Sequence, residues 1–217
     1  MFETITILVF LATIGGIVVH WFVYPVGAEC PGPIRGIVRV LSLLLIEQRS
    51  STLGALKKLC YLVSVICFLL LGLTGFYPVL VHGEHISGWL MMLHATLAPV
   101  FAICLAILGL TWAGEYRFRQ GDCPWLQKLL RRVTRLSIPA DAAEGPCNCA
   151  ATTQKIAFWA IVVLALPLIL SIVLSMLPLF GTHWQEVAMA AHRWTALVFA
   201  VAVLIHTYLA VRLRILQ

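Results

Sequence analysis

From Lys155 to Pro178 the chain reads KIAFWAIVVLALPLILSIVLSMLP, and no charge follows the opening lysine. About 20 consecutive apolar residues are what an α-helix needs to cross a hydrocarbon core of about 30 Å. Four more such runs occur, at 4–25, 57–80, 88–112 and 187–211. Inside lipid every backbone N–H and C=O must find its partner within the chain, so runs of this length dictate helices. Composition agrees: the sequence is 61% hydrophobic and 11% charged, where soluble domains are about 45–50% and about 25%. The expectation is an all-α integral membrane bundle of five transmembrane helices. The first run lacks a basic leader and an A-x-A site and reads as a spanning helix rather than a cleaved signal.

The connections are unequal: 26–56 and 113–154 are long and polar, while 81–87 and 179–186 are short. Fourteen of the fifteen Lys and Arg lie in the long connections, their flanks or the C-terminus; only Arg193 lies at the other face. Basic residues stay on the cytoplasmic side, which predicts an outside N-terminus and a cytoplasmic C-terminus. The net charge of +6 then reflects topology and calls for no nucleic acid. Segments 33–49 (PIRGIVRVLSLLLIEQR) and 125–136 (WLQKLLRRVTRL) mix basic and apolar residues at near-helical spacing. They read as interfacial helices on anionic lipid, or as a docking surface for a cytoplasmic partner. Residues 137–153 read as a flexible link, and no internal repeat is visible.

Ionisable side chains within spanning runs are costly and mark function. The fifth run contains AAHRWTALVFAVAVLIHTYLAV, with His192 and His206 fourteen positions apart. That interval is 40° short of four full turns, so both imidazoles share one face, about 21 Å apart along the axis. His94 in the third run matches the depth of His192, and His20 in the first run matches His206. Two depth-matched pairs, His94/His192 and His20/His206, suit haem: its iron takes axial imidazoles and its macrocycle is apolar enough for a bundle core. Arg193 is placed to meet haem propionates, or else to snorkel. Gly72 and Gly75 give the second run a small-residue face, fit either for a flat macrocycle or for close packing. Pro99 and Pro167 are candidate kinks.

Residues 55–212 resemble the membrane cytochrome b subunits of respiratory formate dehydrogenases (the gamma subunit) and nickel–iron hydrogenases. The resemblance rests on the H-x13-H interval in the fifth run, the QKIAFWAIVVLALPLIL opening of the fourth, the single His94 in WLMMLHATLAPVFAICLAI, and KKLCYLVSVICFLLLGLTGF in the second. It implies a four-helix cytochrome b domain at 55–217, including the cytoplasmic loop 113–154. Residues 1–54 add an extra helix and an amphipathic segment. It further implies two b-type haems and electron transfer between the quinone pool and a redox partner, a multihaem cytochrome c or an iron–sulfur protein, in a bacterial inner membrane. One haem would be held by His94 and His192, the other by His206 and a histidine early in the family's first helix. Here that position falls on Cys60. Three readings stay open: His20 supplies the ligand, Cys60 supplies it as thiolate, or the inner haem is absent or five-coordinate.

No catalytic nucleophile or nucleotide-binding loop is visible, so the expectation is an electron-transfer subunit of a quinone-linked oxidoreductase complex. The competing class is a haem-free membrane anchor, or a metal or proton transporter. His82, His85 and His183, with Glu84 and Glu186, cluster in sequence near the outer surface. They read as solvated loop residues, or as a proton-exchange or partner site. Tyr77, Trp89 and Trp184 read as interfacial anchors. Cys67 and Cys104 read as small core hydrophobes. Cys30, Cys123, Cys147 and Cys149 read as free cytoplasmic thiols, since C-x-C alone is a weak metal signal.

Overall fold

The computed structural model describes residues 1–24, 52–118, 149–177 and 181–216, all helical apart from short turns. The helices are α1 (Phe2–Val23), α2 (Thr52–Tyr77), α3 (Gly88–Trp112), α4 (Cys149–Met176) and α5 (Gly181–Leu216). Five helices among the described residues are long and apolar enough to cross a membrane. The amphipathic segments 33–49 and 125–136 lie outside the described residues, as do 137–148 of the expected link. The last residues of that link belong instead to α4, which starts at Cys149. The short connection expected at 179–186 is largely helix too. Gly181 takes a left-handed φ of 78°, open to glycine at little cost, and α5 begins there.

α2 ends in one wide, π-helical turn over Pro78–His82. Pro78 has no N–H to return to the Thr74 carbonyl, and the ladder reopens at a longer step. Gly83, with φ 66°, closes this turn by donating to the Val79 carbonyl at 3.2 Å. The helices α3 and α4 run unbroken through Pro99 and Pro167.

Two antiparallel pairs form the bundle, α2 with α3 and α4 with α5. In the first pair Thr74 meets His94 at one end, and Tyr61 meets Trp112 at the other, with ring centroids 5.6 Å apart. In the second, Leu168 meets His192 and Phe158 meets His206. The pairs join through a core of Ile161, Ala165 and Phe199, packed by Phe68 and Phe101. Phe199, 3% exposed, has its ring 6.0 Å from Phe101 and 6.3 Å from Phe68. Such ring pairs add about 0.5–1.5 kcal/mol each beyond buried area. Leu8, Leu11, Val19, Leu110, Leu166 and Leu170 point outward, as a bundle solvated by lipid allows.

α1 lies beside α5 and reaches the π-helical turn of α2. Its ring contacts are Phe2 on Trp194 (4.9 Å), Phe10 on Phe76 (5.2 Å) and His20 on Tyr208 (5.7 Å). Thr6, fully buried, returns its hydroxyl to the Phe2 carbonyl at 2.8 Å. Polar side chains in apolar surroundings satisfy themselves on their own helix in this way.

Candidate haem-ligand sites

Three residues on α3 and three on α5 run in register. His94, Phe101 and Leu108 stand seven apart on α3; His192, Phe199 and His206 stand seven apart on α5. Seven residues advance 700°, within 20° of two turns, so each trio shares one face. Phe101 and Phe199 touch edge to face. On either side of that contact the same register sets His94 opposite His192, and Leu108 opposite His206. His94 and His192 are close enough to interact electrostatically.

Both histidines of this first pair carry their proton on Nδ1. Thr74 gives its one hydroxyl hydrogen to the Leu70 carbonyl (2.8 Å), so its oxygen accepts from His94 Nδ1 at 2.9 Å. His192 donates Nδ1–H to the Leu168 carbonyl at 2.9 Å, with the Ser171 hydroxyl 3.5 Å away. An imidazole so bonded presents an unprotonated Nε2, the arrangement found at metal-ligating histidines. Thr74 is 3% exposed, so water does not compete for this bond. Gly75 makes room: a Cβ there would lie 3.2 Å from His94 Cε1, while one at Gly72 would meet nothing within 4 Å. The two glycines therefore differ, Gly75 closed by the imidazole and Gly72 open. The π-helical turn beside Thr74 and Gly75 re-aims the end of α2 against α1.

At the other level His206 sits among Tyr116 (5.8 Å) and Phe158 (6.3 Å), whose rings stack on each other at 4.2 Å. Trp159 Nε1 donates to the Tyr116 carbonyl at 3.0 Å, and Gln154 to the Tyr116 hydroxyl at 3.3 Å, fixing the chain beyond α3 over this end. The antiparallel register of α4 on α5 brings the Gln154 backbone to His206, as it brings Leu168 to His192. The fit is looser here, because buried His206 Nδ1 lacks a full hydrogen bond.

The depth match of His20 with His206 is not a contact. His20 lies against Tyr208 and Arg212: its Nδ1 is 2.6 Å from the Tyr208 hydroxyl and accepts from Arg212 Nη1 at 2.7 Å. Tyr208 is two residues past His206, turned about 200° around α5. An arginine can only donate, so His20 Nδ1 is the acceptor and its proton sits on Nε2, the nitrogen a ligand must bare. Arg212 also donates to the Tyr208 hydroxyl (3.0 Å) and the Tyr24 carbonyl (3.0 Å). Cys60 is buried on α2 and hydrogen-bonded to Cys104 on α3, with Cys67 nearby.

Arg193, beside His192, donates to His85 Nδ1 at 3.0 Å and lies 5.2 Å over the Phe2 ring; its buried Nε has no partner. The His85–Arg193–Phe2 contact was not legible in sequence, since its members lie on α1, α5 and the α2–α3 connection. In the outer group, His82 packs on Tyr77 (5.5 Å) and His183 on Trp184 (6.0 Å). Tyr77, Trp89 and Trp184 are exposed at helix ends, where interfacial anchors belong. Among the described residues no group of three or more His, Cys, Asp or Glu is placed to hold a bare metal ion. Cys30, Cys123 and Cys147, and the side chain of Cys149, lie outside the described residues.

The donor set fits haem at the His192 level: two opposed imidazoles with bonded Nδ1, a glycine-lined wall and an arginine with a spare buried donor. A family model described as prokaryotic cytochrome b561 matches residues 56–217, about three-quarters of the chain. A comparison with curated proteins gives no match.

Proposed function

The chain belongs to the prokaryotic cytochrome b561 family, a family of b-type haem membrane electron-transfer subunits, and from that premise we propose that it relays electrons between the membrane quinone pool and a partner redox subunit. The supporting observation is the opposed pair His94 and His192, each with Nδ1–H bonded and Nε2 free. These residues would hold one haem, and His206 would hold a second. A bound haem supplies one-electron redox chemistry; the protein's part is to fix the ligands, exclude water and set the spacing. Two levels about 21 Å apart on α5, with the Phe68–Phe101–Phe199 core between them, give electrons a dry route along the bundle axis.

Arg193 would neutralise a propionate through its unpartnered Nε. The basic connections set the direction of insertion, with the His192 level outside and the His206 level at the cytoplasm of a bacterial inner membrane. The partner would be a multihaem cytochrome c or an iron–sulfur protein, and quinone or quinol the mobile substrate.

The test is haem content by reduced pyridine haemochrome on detergent-purified protein, followed by reduction with a short-chain quinol. We expect b-type haem reduced by quinol, and loss of the His192-level haem in both His94→Ala and His192→Ala. A wild-type protein without haem would return the chain to the anchor or transporter class.

A further inference from the structure

At the His206 level the bundle has one imidazole and an unmatched opposite wall. On α3 the register that sets His94 against His192 sets Leu108, 5% exposed, against His206. His20 is turned to Tyr208 and Arg212, with its proton on the wrong nitrogen. The other five histidines are accounted for elsewhere: His94 and His192 form the first pair, and His82, His85 and His183 lie beyond it at that same end of the bundle.

The third wall comes from α2. Counting away from the Phe68–Phe199 contact, Cys60 is eight residues along α2 and His206 seven along α5, level within about 2 Å. Cys60, Ser64, Cys67 and Thr74 are all buried and form the inward seam of α2. Cys60 is held by its hydrogen bond to Cys104. Ser64, half-way between Cys60 and Phe68, is 7% exposed, and its Oγ has no hydrogen-bond partner. Three other buried hydroxyls on these helices, Thr6, Thr74 and Ser171, each return to a carbonyl of their own helix. A buried unsatisfied hydroxyl costs about 1–3 kcal/mol, so the orphaned Ser64 Oγ, within one helical turn of the His206 level, calls for a hydrogen-bond partner from outside the chain.

We propose that the His206 level is an open-coordination haem site, with His206 as the sole axial ligand and a small ligand-binding face formed by Ser64, Cys60 and Leu108. The class of ligand is a neutral diatomic or a small anion that reaches the iron and accepts a hydrogen bond from Ser64. Apolar Leu108 and the thiol of Cys60 offer no second imidazole there. The inference rests on the haem-binding reading above and divides its two sites by character: the His192 level closed and six-coordinate, the His206 level open.

The test uses the full-length protein in detergent, with carbon monoxide as the probe. Haem per chain is counted by pyridine haemochrome, spin state is read by electron paramagnetic resonance, and the reduced-plus-CO minus reduced spectrum is recorded. The expected result is two haems per chain, of which one is high-spin and binds CO. His206→Ala should remove that haem alone. Cys60→His should convert it to low-spin and abolish CO binding, and His20→Ala should leave both spectra unchanged. Ser64→Ala should weaken retention of CO several-fold without changing haem content, which reads the face even if Cys60→His fails to assemble. Two low-spin haems with no CO adduct, or loss of a low-spin signal in His20→Ala, would overturn the open site and leave the electron-transfer reading standing. A single low-spin haem would do the same. Absence of haem in the wild type would overturn the underlying reading instead.

Discussion

Thr74 gives the sharpest test of how this chain holds haem. Thr74→Val keeps the branched shape but removes the oxygen that accepts from His94 Nδ1 at 2.9 Å. No water replaces it at 3% exposure. Without haem, the freed imidazole can turn or change tautomer to relieve the loss. With haem, Nε2 is committed to iron and Nδ1–H is left with the Leu71 carbonyl alone, so the cost falls on the bound state. Losing such an outer partner typically weakens a metal site about 10–100-fold, or about 1.4–2.8 kcal/mol. The bond also makes Nε2 a stronger donor, which favours oxidised iron, so its loss should raise the midpoint potential of that haem. The assay is haem titration of the apoprotein with a redox titration of the reconstituted form. Thr74→Ser, which keeps the hydroxyl, should behave as wild type. A Thr74→Val protein with unchanged affinity and potential would refute the assignment of His94 as a ligand oriented by α2.

Further consequences follow from the same contacts. Gly75→Ala places a Cβ 3.2 Å from His94 Cε1, so the ring must shift by a few tenths of an ångström; haem occupancy at the His192 level should fall while helix content by circular dichroism holds. Phe199→Ala empties the junction of Phe68, Phe101 and Ile161; about 3–5 kcal/mol of stability should be lost, seen as a lower thermal midpoint in detergent, whereas Phe199→Leu should recover much of it. Arg193→Gln removes a positive charge beside His192 and the cation–π contact with Phe2, itself worth about 0.5–1 kcal/mol; the potential of the neighbouring haem should fall, because the charge favours the reduced form, and an unchanged redox titration would remove Arg193 from the site.

Much of this was legible because lipid leaves few choices. Runs near 20 apolar residues gave helices whose ends agree within six positions, and the costly imidazoles marked their own faces. Counting depth set His94 level with His192, and the two are close enough to interact. The same counting set His20 level with His206, yet the structure turns them to different sides of α5. Depth follows from distance along a helix, which sequence carries. Azimuth depends on which face of α1 meets which face of α5, decided by Tyr208 and Arg212 reaching His20 and by Phe2 and Arg193 meeting at the far end. Nothing in the spacing of α1 announces those contacts. The Thr74–His94 bond and the Gly75 gap were equally out of reach, because they need the α2–α3 register.

α1 packs beside a bundle in which His94, His192 and His206 all stand on other helices. Its grip on α5 is polar at both ends, through Arg193 and His85 beside Phe2 and through Arg212 holding His20 and the Tyr24 carbonyl. Between them Gly15 and Gly16 would meet nothing within 4 Å. Helices in lipid gain little from apolar contact alone, since acyl chains solvate leucine equally well, so two arginine-centred contacts at the ends are an efficient way to fix such a helix. One of them borders His192. The other lies on the back of α5 from His206, where it draws His20 away from the bundle axis. The extra helix thus braces the His192 end from outside, while its own imidazole faces Tyr208 and Arg212.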